Sequence, residues 1–461
     1  MNAVVSPAAR RDLAYHLHPT TNLASVQTEG PLVITGGDGV YVIDEAGNRY
    51  LEGMAGLWCA SLGFSEARLA EAAYRQMKEL PFYHAFSGKV ARISTELAER
   101  LVGIAPEGLT KVFFANSGSE ANDSAVKLVW YYNNALGRPE KKKFISRKKA
   151  YHGMTVVAAS LTGLPFAHGD FDVPAPRFIH TESPHYWRGA RDGESEEAFA
   201  ERLAAELERM ILAEGPDTVA AFIAEPVMGA GGVIVPPATY FERIQQVLAK
   251  YDVLMIADEV ICGFGRTGNM FGSQTFDIRP DILTCAKQLT SGYQPMSAMM
   301  VSSTIYKVLE EQSRKLGIFG HGFTYSGHPV PAAVAVETLR IYEERKLIDH
   351  VRSLSPVMQD GLRALVDHPL VGEARGIGLI GALELVHNKA SKTSYDAKAG
   401  VGAQVVRFAQ QRGLIVRSLP GDVIAVCPPL VIAPHELRDL LDGLTGALND
   451  TWDWVKARGL A

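Results

Sequence analysis

Residues able to bind an anion lie where an apolar segment gives way to a helical pattern. The short apolar run Val112–Ala115 is followed by Asn116-Ser117-Gly118-Ser119-Glu120, and a helical pattern opens at Ser119. Free backbone N–H groups at the start of a helix, two hydroxyl groups and a flexible glycine together make an anion-binding site. The same residues also fit a simple serine-capped helix. Alone, the motif leaves both interpretations open.

Two further polar residues follow apolar runs that predict buried strands. Asp258 comes directly after Val253–Ala257, and Lys287 follows Asp281–Ala286. In parallel sheets, ligands lie beyond the carboxyl ends of the strands, so we expect both side chains at one sheet edge. An aspartate that keeps a pyridine nitrogen protonated and a lysine that forms a Schiff base are the two groups that pyridoxal phosphate (PLP) chemistry requires. The alternative for Lys287 is a solvated surface lysine.

An aromatic residue with the same potential use lies in Tyr151-His152-Gly153, between two predicted elements. An aromatic side chain at this position is able to stack on the flat ring of a bound cofactor. On its own, the residue is better explained by ordinary core packing.

The elements that must position these residues alternate between strand and helix. The continuous apolar runs Val219–Ala224 and Val253–Ala257 are typical of strands buried on both faces, and a helix is predicted between them at about Ala238–Lys250. This alternation predicts βαβ units and a mostly parallel sheet.

The two ends of the chain have a different pattern. Near the start, Gly39–Asp44 and Arg49–Leu51 predict a hairpin. A helix at about Pro331–Glu344 leads to shorter strands at Leu414–Arg417 and Val423–Val426, as in a smaller α+β domain. We therefore expect an N-terminal segment (1–65) that packs with the small domain, a large cofactor-binding domain (66–330) and a C-terminal small domain (331–461).

Composition excludes several classes of partner. The formal net charge of −5 gives no reason to expect nucleic acid or an anionic membrane surface. No apolar run approaches the ~20 residues of a membrane helix. Scattered cysteines without a Cys-x-x-Cys pair indicate reduced thiols, and no metal site is predicted. We therefore expect a cytoplasmic protein. The cysteines are Cys59, Cys262, Cys285 and Cys427.

Seven stretches carry a resemblance to a known family. They are Gly56-Leu57-Trp58, Asn116–Asn122, Tyr151–Gly153, Gly229–Pro237, Ile256–Gly268, Ala286-Lys287 and His321–Pro329. In these the chain resembles the class III aminotransferases of fold type I along almost its whole length. Within that class it is most similar to the ω-transaminases that use pyruvate as amino acceptor. The resemblance implies an α/β fold with a large PLP-binding domain on a mostly parallel seven-stranded sheet, and a smaller α+β domain.

The resemblance also implies a cofactor site. Lys287 is then the Schiff-base lysine and proton shuttle, and Asp258 is the partner of the pyridinium nitrogen. Thr324 reaches the phosphate of the neighbouring subunit, which implies a homodimer or a dimer of dimers. Glu225 is either a residue of the site or a buried structural group, and both remain open. The implied cofactor-binding set is Ser117, Gly118, Ser119, Tyr151, His152, Glu225, Asp258, Val260, Lys287 and Thr324.

On the substrate side, Arg417 matches a mobile arginine that pairs with the carboxylate of the acceptor, a task for which a guanidinium is suited. A surface arginine is the alternative. The ornithine and γ-aminobutyrate branches carry a glutamate that neutralises this arginine, whereas the present chain has Ala230. This difference argues against glutamate and 2-oxoglutarate as the preferred pair. Trp58, Phe86 and Tyr151 complete the implied substrate pocket.

The expected reaction is a ping-pong transfer of an amino group from an amine or ω-amino acid to pyruvate, which gives an aldehyde or ketone and L-alanine. Another class III reaction (aminomutase, decarboxylase or epimerase) or another keto acid is the alternative. A nucleotide-binding oxidoreductase is less well supported, because no Gly-x-Gly-x-x-Gly follows the first strand. A non-catalytic scaffold does not account for the pair of Lys287 and Asp258. The sequence names neither the donor nor the enantiopreference.

Overall fold

Three β-sheets organise the chain. The computed structural model describes residues 6–461. It contains one seven-stranded sheet and two four-stranded sheets. The first elements of the chain are α1 (Pro7–Tyr15), α2 (Leu23–Glu29), β1 (Ile34–Asp38), β2 (Tyr41–Asp44), β3 (Arg49–Glu52) and α3 (Ala55–Trp58).

The middle of the chain forms the seven-stranded sheet and the helices that cover it. Its elements are α4 (Ala67–Glu79), α5 (Arg92–Ile104), β4 (Leu109–Ala115), α6 (Gly118–Ala135), β5 (Lys143–Arg147), α7 (Val156–Leu161), β6 (Phe178–Thr181), α8 (Tyr186–Gly189), α9 (Glu196–Glu214), β7 (Val219–Ala224), α10 (Tyr240–Lys250), β8 (Leu254–Asp258), α11 (Gly272–Thr275), β9 (Ile282–Cys285), β10 (Ser297–Ser302) and α12 (Ser303–Leu316).

The last part of the chain supplies the smaller domain. Its elements are α13 (Pro329–Glu344), α14 (Leu347–Ala364), β11 (Val371–Ile377), β12 (Ile380–Leu385), α15 (Val401–Gln411), β13 (Leu414–Ile415), β14 (Arg417–Leu419), β15 (Val423–Val426) and α16 (Pro434–Ala457). Short 3₁₀ turns lie at Pro165–Ala167, Gly169–Phe171, Pro216–Thr218, Lys287–Thr290, Leu365–Asp367 and Ala397–Ala399.

The large sheet has the strand order β4-β10-β9-β8-β7-β5-β6. Strand β10 is antiparallel to both of its neighbours, and the remaining pairs are parallel. All residues of β7 and β9 are buried, as expected where helices cover both faces of a sheet. The prediction of a mostly parallel α/β domain is confirmed.

The smaller sheets join the two ends of the chain. Strands β1, β2 and β3 form an antiparallel meander that β13 extends in parallel, with Leu414 opposite Leu51 and Ile415 opposite Glu52. The other sheet has the order β11-β12-β15-β14. The predicted strands near both termini are therefore present, while the domain boundaries at residues 65 and 330 stay predictions.

The single strand predicted at Leu414–Arg417 is wrong. The chain leaves one sheet and enters the other at this point, since β13 pairs with β3 whereas Arg417 in β14 pairs with Ala425 in β15. A continuous apolar pattern does not show which of two sheets a residue joins. Two helix starts also differ slightly. Helix α6 begins at Gly118 because Ser117 caps it, and α10 begins at Tyr240 after a left-handed Thr239.

Leucines on one face of α16 are buried against the core, and a proline occupies its first turn, where the missing N–H is not needed.

Within residues 6–461, no helix is both long and apolar enough to cross a membrane.

Candidate active site

A cavity of about 380 Å³ opens at the carboxyl edge of the seven-stranded sheet. Segments that follow β4, β5, β7, β8 and β9 converge there, as expected where the ends of parallel strands meet. The lining residues are Cys59, Asn116, Ser117, Gly118, Ser119, Tyr151, His152, Gly153, Glu225, Asp258, Val260, Ile261, Ala286, Lys287, Gly292, Gln294, Pro295 and Met296. Of the ten predicted cofactor-binding residues, all but Thr324 line this cavity.

A buried hydrogen-bond network fixes Asp258. Its Oδ2 accepts hydrogen bonds from Asn122 Nδ2 at 2.8 Å and His152 Nδ1 at 2.7 Å, and its Oδ1 accepts one from Val260 N at 3.0 Å. Asn122 is itself oriented by Thr284, whose hydroxyl donates to Asn122 Oδ1 at 2.8 Å. A buried carboxylate needs such donors to remain charged. The network therefore holds a carboxylate in the wall of the cavity, where it is able to stabilise a protonated ring nitrogen.

Lys287 is held by its neighbours, while its own amine makes no hydrogen bond or ion pair with residues 6–461. Its backbone is left-handed, with φ of 42°, a conformation that costs free energy in a residue with a side chain. The adjacent Gln288 anchors this turn, since its Nε2 donates to Ile261 O at 2.9 Å and Gly263 O at 2.7 Å. Arg266 Nη2 donates to the other end of the same amide at 3.1 Å. The lysine side chain lines the cavity.

The start of α6 forms the end of the cavity that suits an anion. The hydroxyl of Ser117 caps the helix by accepting a hydrogen bond from Glu120 N at 3.2 Å. Among residues 6–461, the N–H groups of Gly118 and Ser119 have no acceptor. Met154 N donates to Ser119 Oγ at 3.1 Å, which ties the Tyr151 loop to the helix. Two free N–H groups at the positive end of a helix are able to bind a phosphate.

The shape of this end also fits a phosphate group. A Cβ atom added to Gly118 would lie 3.0 Å from Cγ1 of Val260. A Cβ atom added to Gly153, where φ is +130°, would lie 2.4 Å from Ser119 Oγ. Side chains at these glycines, which both line the cavity, would narrow it beside the start of α6. A phosphate site, a fixed carboxylate and a free lysine in one cavity fit PLP.

Glu225 joins two loops of the site. Its Oε1 accepts a hydrogen bond from Tyr151 N at 3.1 Å, and its Oε2 accepts one from Gly229 N at 2.9 Å. Burial raises the pKa of the Glu225 carboxyl, while the neighbouring His152 opposes this shift. Glu225 therefore has a structural role between the Tyr151 loop and the loop that carries Ala230. Its contact with the cofactor stays a prediction.

The predicted substrate residues of the same chain lie together beside the cavity. The guanidinium of Arg417 lies 5.3 Å from the centre of the Trp58 ring, a distance at which a cation is attracted to an aromatic face. Burial lowers the pKa of Arg417, and the nearby Tyr151 opposes this shift. Ala230 packs against the apolar cluster that contains Trp58. Tyr151 lines the cavity, so this group continues the cofactor site outward.

Phe86 and Thr324 do not reach the cavity of their own chain. Phe86 is 45% exposed, and its ring lies beside Gly322, where an added Cβ would be 3.1 Å from the ring edge. Thr324, two residues further on, is exposed. Phe86 lies on the surface that carries Thr324, the residue predicted to serve a neighbouring subunit. Its role as an aromatic wall of the substrate pocket stays a prediction.

Several residues of the site were missed by the sequence analysis. Asn122 lies one helical turn after Gly118, so its position on the same face of α6 was a usable signal. Cys59 lines the cavity directly after Trp58. The loop Gly292–Met296 also lines the cavity, but its residue types carry no chemical pattern that would have identified it.

The aminotransferase class-III family model matches residues 23–448. γ-Aminobutyrate transaminase 1 of mitochondria from Oryza sativa subsp. indica is 55% identical over 92% of this chain and 82% of its own length. The chloroplastic γ-aminobutyrate transaminase 3 of Solanum lycopersicum is 53% identical, with the same coverage.

Solved structures agree with these matches. The ω-transaminase from Pseudomonas jessenii in complex with PMP has a TM-score of 0.96 and 55% identity, covering 98% of this chain and 99% of that one. A transaminase solved with L-alanine has a TM-score of 0.90 and 56% identity, covering 92% of this chain and all of that one.

Proposed function

Because the chain belongs to the class III aminotransferases, we propose that it transfers an amino group from an amine or ω-amino acid to pyruvate, which leaves as L-alanine. The enzyme is PLP-dependent. The observation that carries the proposal is Arg417, whose guanidinium lies over the Trp58 ring and makes no ion pair with a carboxylate of residues 6–461. A guanidinium binds a carboxylate through two parallel hydrogen bonds, and pyruvate offers that group.

The residues of the chain divide the catalytic work. PLP, when bound, supplies a ring that withdraws electrons from the α-carbon of the amine attached to it. Lys287 Nζ, which lines the cavity, would hold and move the proton at the substrate carbon that bears the amino group. Asp258, whose carboxylate is held in place by the buried network, would stabilise a protonated ring nitrogen of the cofactor. The free N–H groups of Gly118 and Ser119 hold the phosphate.

The residue at position 230 supports pyruvate over 2-oxoglutarate. Ala230 packs against the apolar cluster around Trp58, on the side of the site that carries Arg417. A small neutral side chain here leaves the guanidinium available to the acceptor. The similar transaminase solved with L-alanine contains the product that this proposal expects.

The relatives suggest a class of donor. The two relatives described above are γ-aminobutyrate transaminases, and that name gives a donor but no acceptor. γ-Aminobutyrate is an ω-amino acid, so its carboxylate would bind Arg417 in the first half-reaction and pyruvate would bind it in the second. A diamine such as putrescine or an arylalkyl amine would instead require the arginine to move aside.

We further propose that two subunits complete each site. Apolar side chains around the Phe86–Thr324 surface are exposed, including Phe82, Tyr83 and Tyr325, with Phe82 and Tyr325 packed edge to face at 5.7 Å. Exposed apolar patches of this kind mark interfaces. A homodimer or dimer of dimers would cover this surface and bring Thr324 to the partner's phosphate site. The expected cytoplasmic location stays a prediction.

A comparison of acceptors tests the proposed function. The purified PLP-loaded enzyme is incubated with γ-aminobutyrate and either pyruvate or 2-oxoglutarate, and alanine, glutamate and the aldehyde product are quantified. Alanine formed in equal amount to the aldehyde, and faster than glutamate, is the expected result. Faster glutamate formation would show a different acceptor. A product without any transferred amino group would indicate an aminomutase, decarboxylase or epimerase. The Lys287→Ala variant is the negative control, which measures product formed without the enzyme's own catalysis.

A further inference from the structure

The segment that carries Trp58 has an unusual backbone. Ala55, Gly56 and Trp58 all have positive φ, at 47°, 69° and 60°. Residues with side chains rarely adopt such values, and a segment that does so must be held by the surrounding structure. Part of this support comes from its own backbone, since Trp58 N donates to Met54 O at 2.8 Å.

The rest of the support comes from the carboxylate of Glu52. Its Oε1 accepts a hydrogen bond from Met54 N at 3.1 Å, and its Oε2 accepts one from Gly56 N. Glu52 is only 3% exposed and makes no ion pair with a cation of residues 6–461. The two N–H groups are thus its partners, and they lie at the start of the left-handed segment. By accepting both hydrogen bonds, the buried Glu52 carboxylate fixes the backbone conformation at the start of the Trp58 segment.

Glu52 also lies beside the strand that leads to Arg417. It pairs with Ile415 in the parallel register of β3 and β13, and Gly53 N donates to Ile415 O at 2.9 Å. Arg417 follows two residues later, and its guanidinium lies over the ring of Trp58. The aromatic wall and the cationic group of the substrate pocket are therefore both attached to the backbone at Glu52.

We propose that Glu52 is a positioning residue for the acceptor pocket, which sets Trp58 and through it the guanidinium of Arg417. This inference rests on the proposed function in one respect, namely that Arg417 binds the carboxylate of the acceptor. Glu52 is not among the residues that line the cavity. Its substitution should therefore change recognition of the keto acid and leave the chemistry at Lys287 intact.

A purely structural role for Glu52 would have different consequences, and Asp44 provides the matched control. Asp44 is a similarly buried carboxylate on the neighbouring strand β2, and it accepts hydrogen bonds from Ala46 N and Asn48 N at 2.9 Å. It supports the hairpin turn and makes no contact with the Trp58 segment. Asp44→Asn therefore reports what loss of a buried carboxylate does to the fold alone.

The test compares Glu52→Gln and Glu52→Ala with Asp44→Asn in the PLP-loaded enzyme. Burial raises the pKa of Glu52 to about 7, so assays are run well above that pH, where the carboxylate is ionised. Glutamine retains the volume of the side chain but has one acceptor oxygen instead of two. Loss of a hydrogen bond to a charged group predicts a rise of about tenfold in the KM for pyruvate. The rise should be larger for Glu52→Ala, with little change in kcat or PLP content.

A double-mutant cycle with Trp58→Leu makes the test specific. If Glu52 acts through Trp58, Glu52→Gln should have a much smaller effect on KM in the Trp58→Leu background, because residues that act together are not additive. Additive effects, or an unchanged KM in Glu52→Gln, would overturn the inference. The inference is also overturned if Glu52→Gln raises KM only together with losses of kcat and PLP content that Asp44→Asn shows as well. If the wild type prefers another keto acid, the proposed acceptor is wrong, and the Glu52 effect is then measured on the acceptor that it uses.

Discussion

The cofactor end of the site and the acceptor end are built in different ways. At the cofactor end, Asp258 ends β8 and Lys287 follows the adjacent strand β9, and a buried network fixes the carboxylate. At the acceptor end, Trp58 lies on a left-handed segment after one small sheet, while Arg417 begins a strand of another. Phe86 and Thr324 lie on the surface, away from the cavity of their own chain.

This contrast indicates how the two functions of the site are separated. Strand ends of a single sheet have little freedom to move relative to one another, so the reacting groups keep a constant geometry. The acceptor end depends on a junction between sheets and on side chains that can be changed without disturbing that geometry. We therefore expect substitutions at the cofactor end to impair both half-reactions, and substitutions at the acceptor end to impair one.

The largest effect is expected for Lys287→Ala. Removal of the amine that moves the proton should reduce turnover by about 10²- to 10⁴-fold in both half-reactions. Lys148→Ala is the control, since Lys148 is an exposed lysine paired with Glu182. Borohydride reduction of the wild type, followed by peptide mass spectrometry, should find PLP on the peptide that contains Lys287. PLP on another lysine would contradict this assignment.

A smaller loss is expected for Asp258→Asn. A hydrogen bond to a charged group is worth ~1.5–3 kcal/mol, which corresponds to roughly 10- to 150-fold in turnover. Asp281→Asn is a matched control at the opposite end of the sheet, where Asp281 accepts a hydrogen bond from Met255 N at 2.8 Å. Turnover should fall in the first variant in both half-reactions, and little in the second. Near-normal rates in Asp258→Asn would remove this residue from the mechanism.

The cofactor end of the site could be predicted from the sequence to a greater extent than the acceptor end. Asp258 and Lys287 were found because continuous apolar runs reveal buried strands, and parallel strand ends meet at one edge. The split between β13 and β14 was not found, because it depends on which sheet each residue joins. The left-handed backbone of the Trp58 segment and its hydrogen bonds to Glu52 could not be predicted, because neither produces a periodic pattern in the sequence. The position of Phe86 beside Gly322 could not be predicted either, because it depends on the tertiary packing of segments that are distant in sequence.

A modest effect on cofactor retention is expected for Thr324→Ala. One net hydrogen bond contributes ~0.5–1.5 kcal/mol, so PLP should bind roughly 2- to 10-fold more weakly if Thr324 reaches the partner's phosphate. Ser313→Ala removes an exposed hydroxyl on α12 and serves as the control. PLP release during dialysis and sedimentation of the holoenzyme provide the two measurements. A fully active monomer would refute the shared site.

The last variant of this series, Glu259→Gln, should change the pH dependence of folding stability and leave catalysis almost unaffected. Burial raises its pKa to about 7, although Gly272 and Ser273 donate hydrogen bonds to it. The folded chain therefore keeps this proton up to higher pH than the unfolded chain, and stability falls as pH rises from about 4.5 to 7. Glu259→Gln should flatten this fall by at most ~3 kcal/mol. Unfolding curves across this range, compared with wild type, measure it, and an unchanged slope would contradict the assignment.

Separate single-turnover measurements of the two half-reactions in Arg417→Ala test the central claim most directly. One half-reaction uses the PLP form with an amine that has no carboxylate, and the other uses the aminated form with pyruvate. Because only pyruvate offers the guanidinium a bidentate partner, the account predicts that the pyruvate half-reaction slows by at least about tenfold while the amine half-reaction is nearly unchanged. Equal losses in both would show that Arg417 is structural and that the cofactor and acceptor ends are not separable.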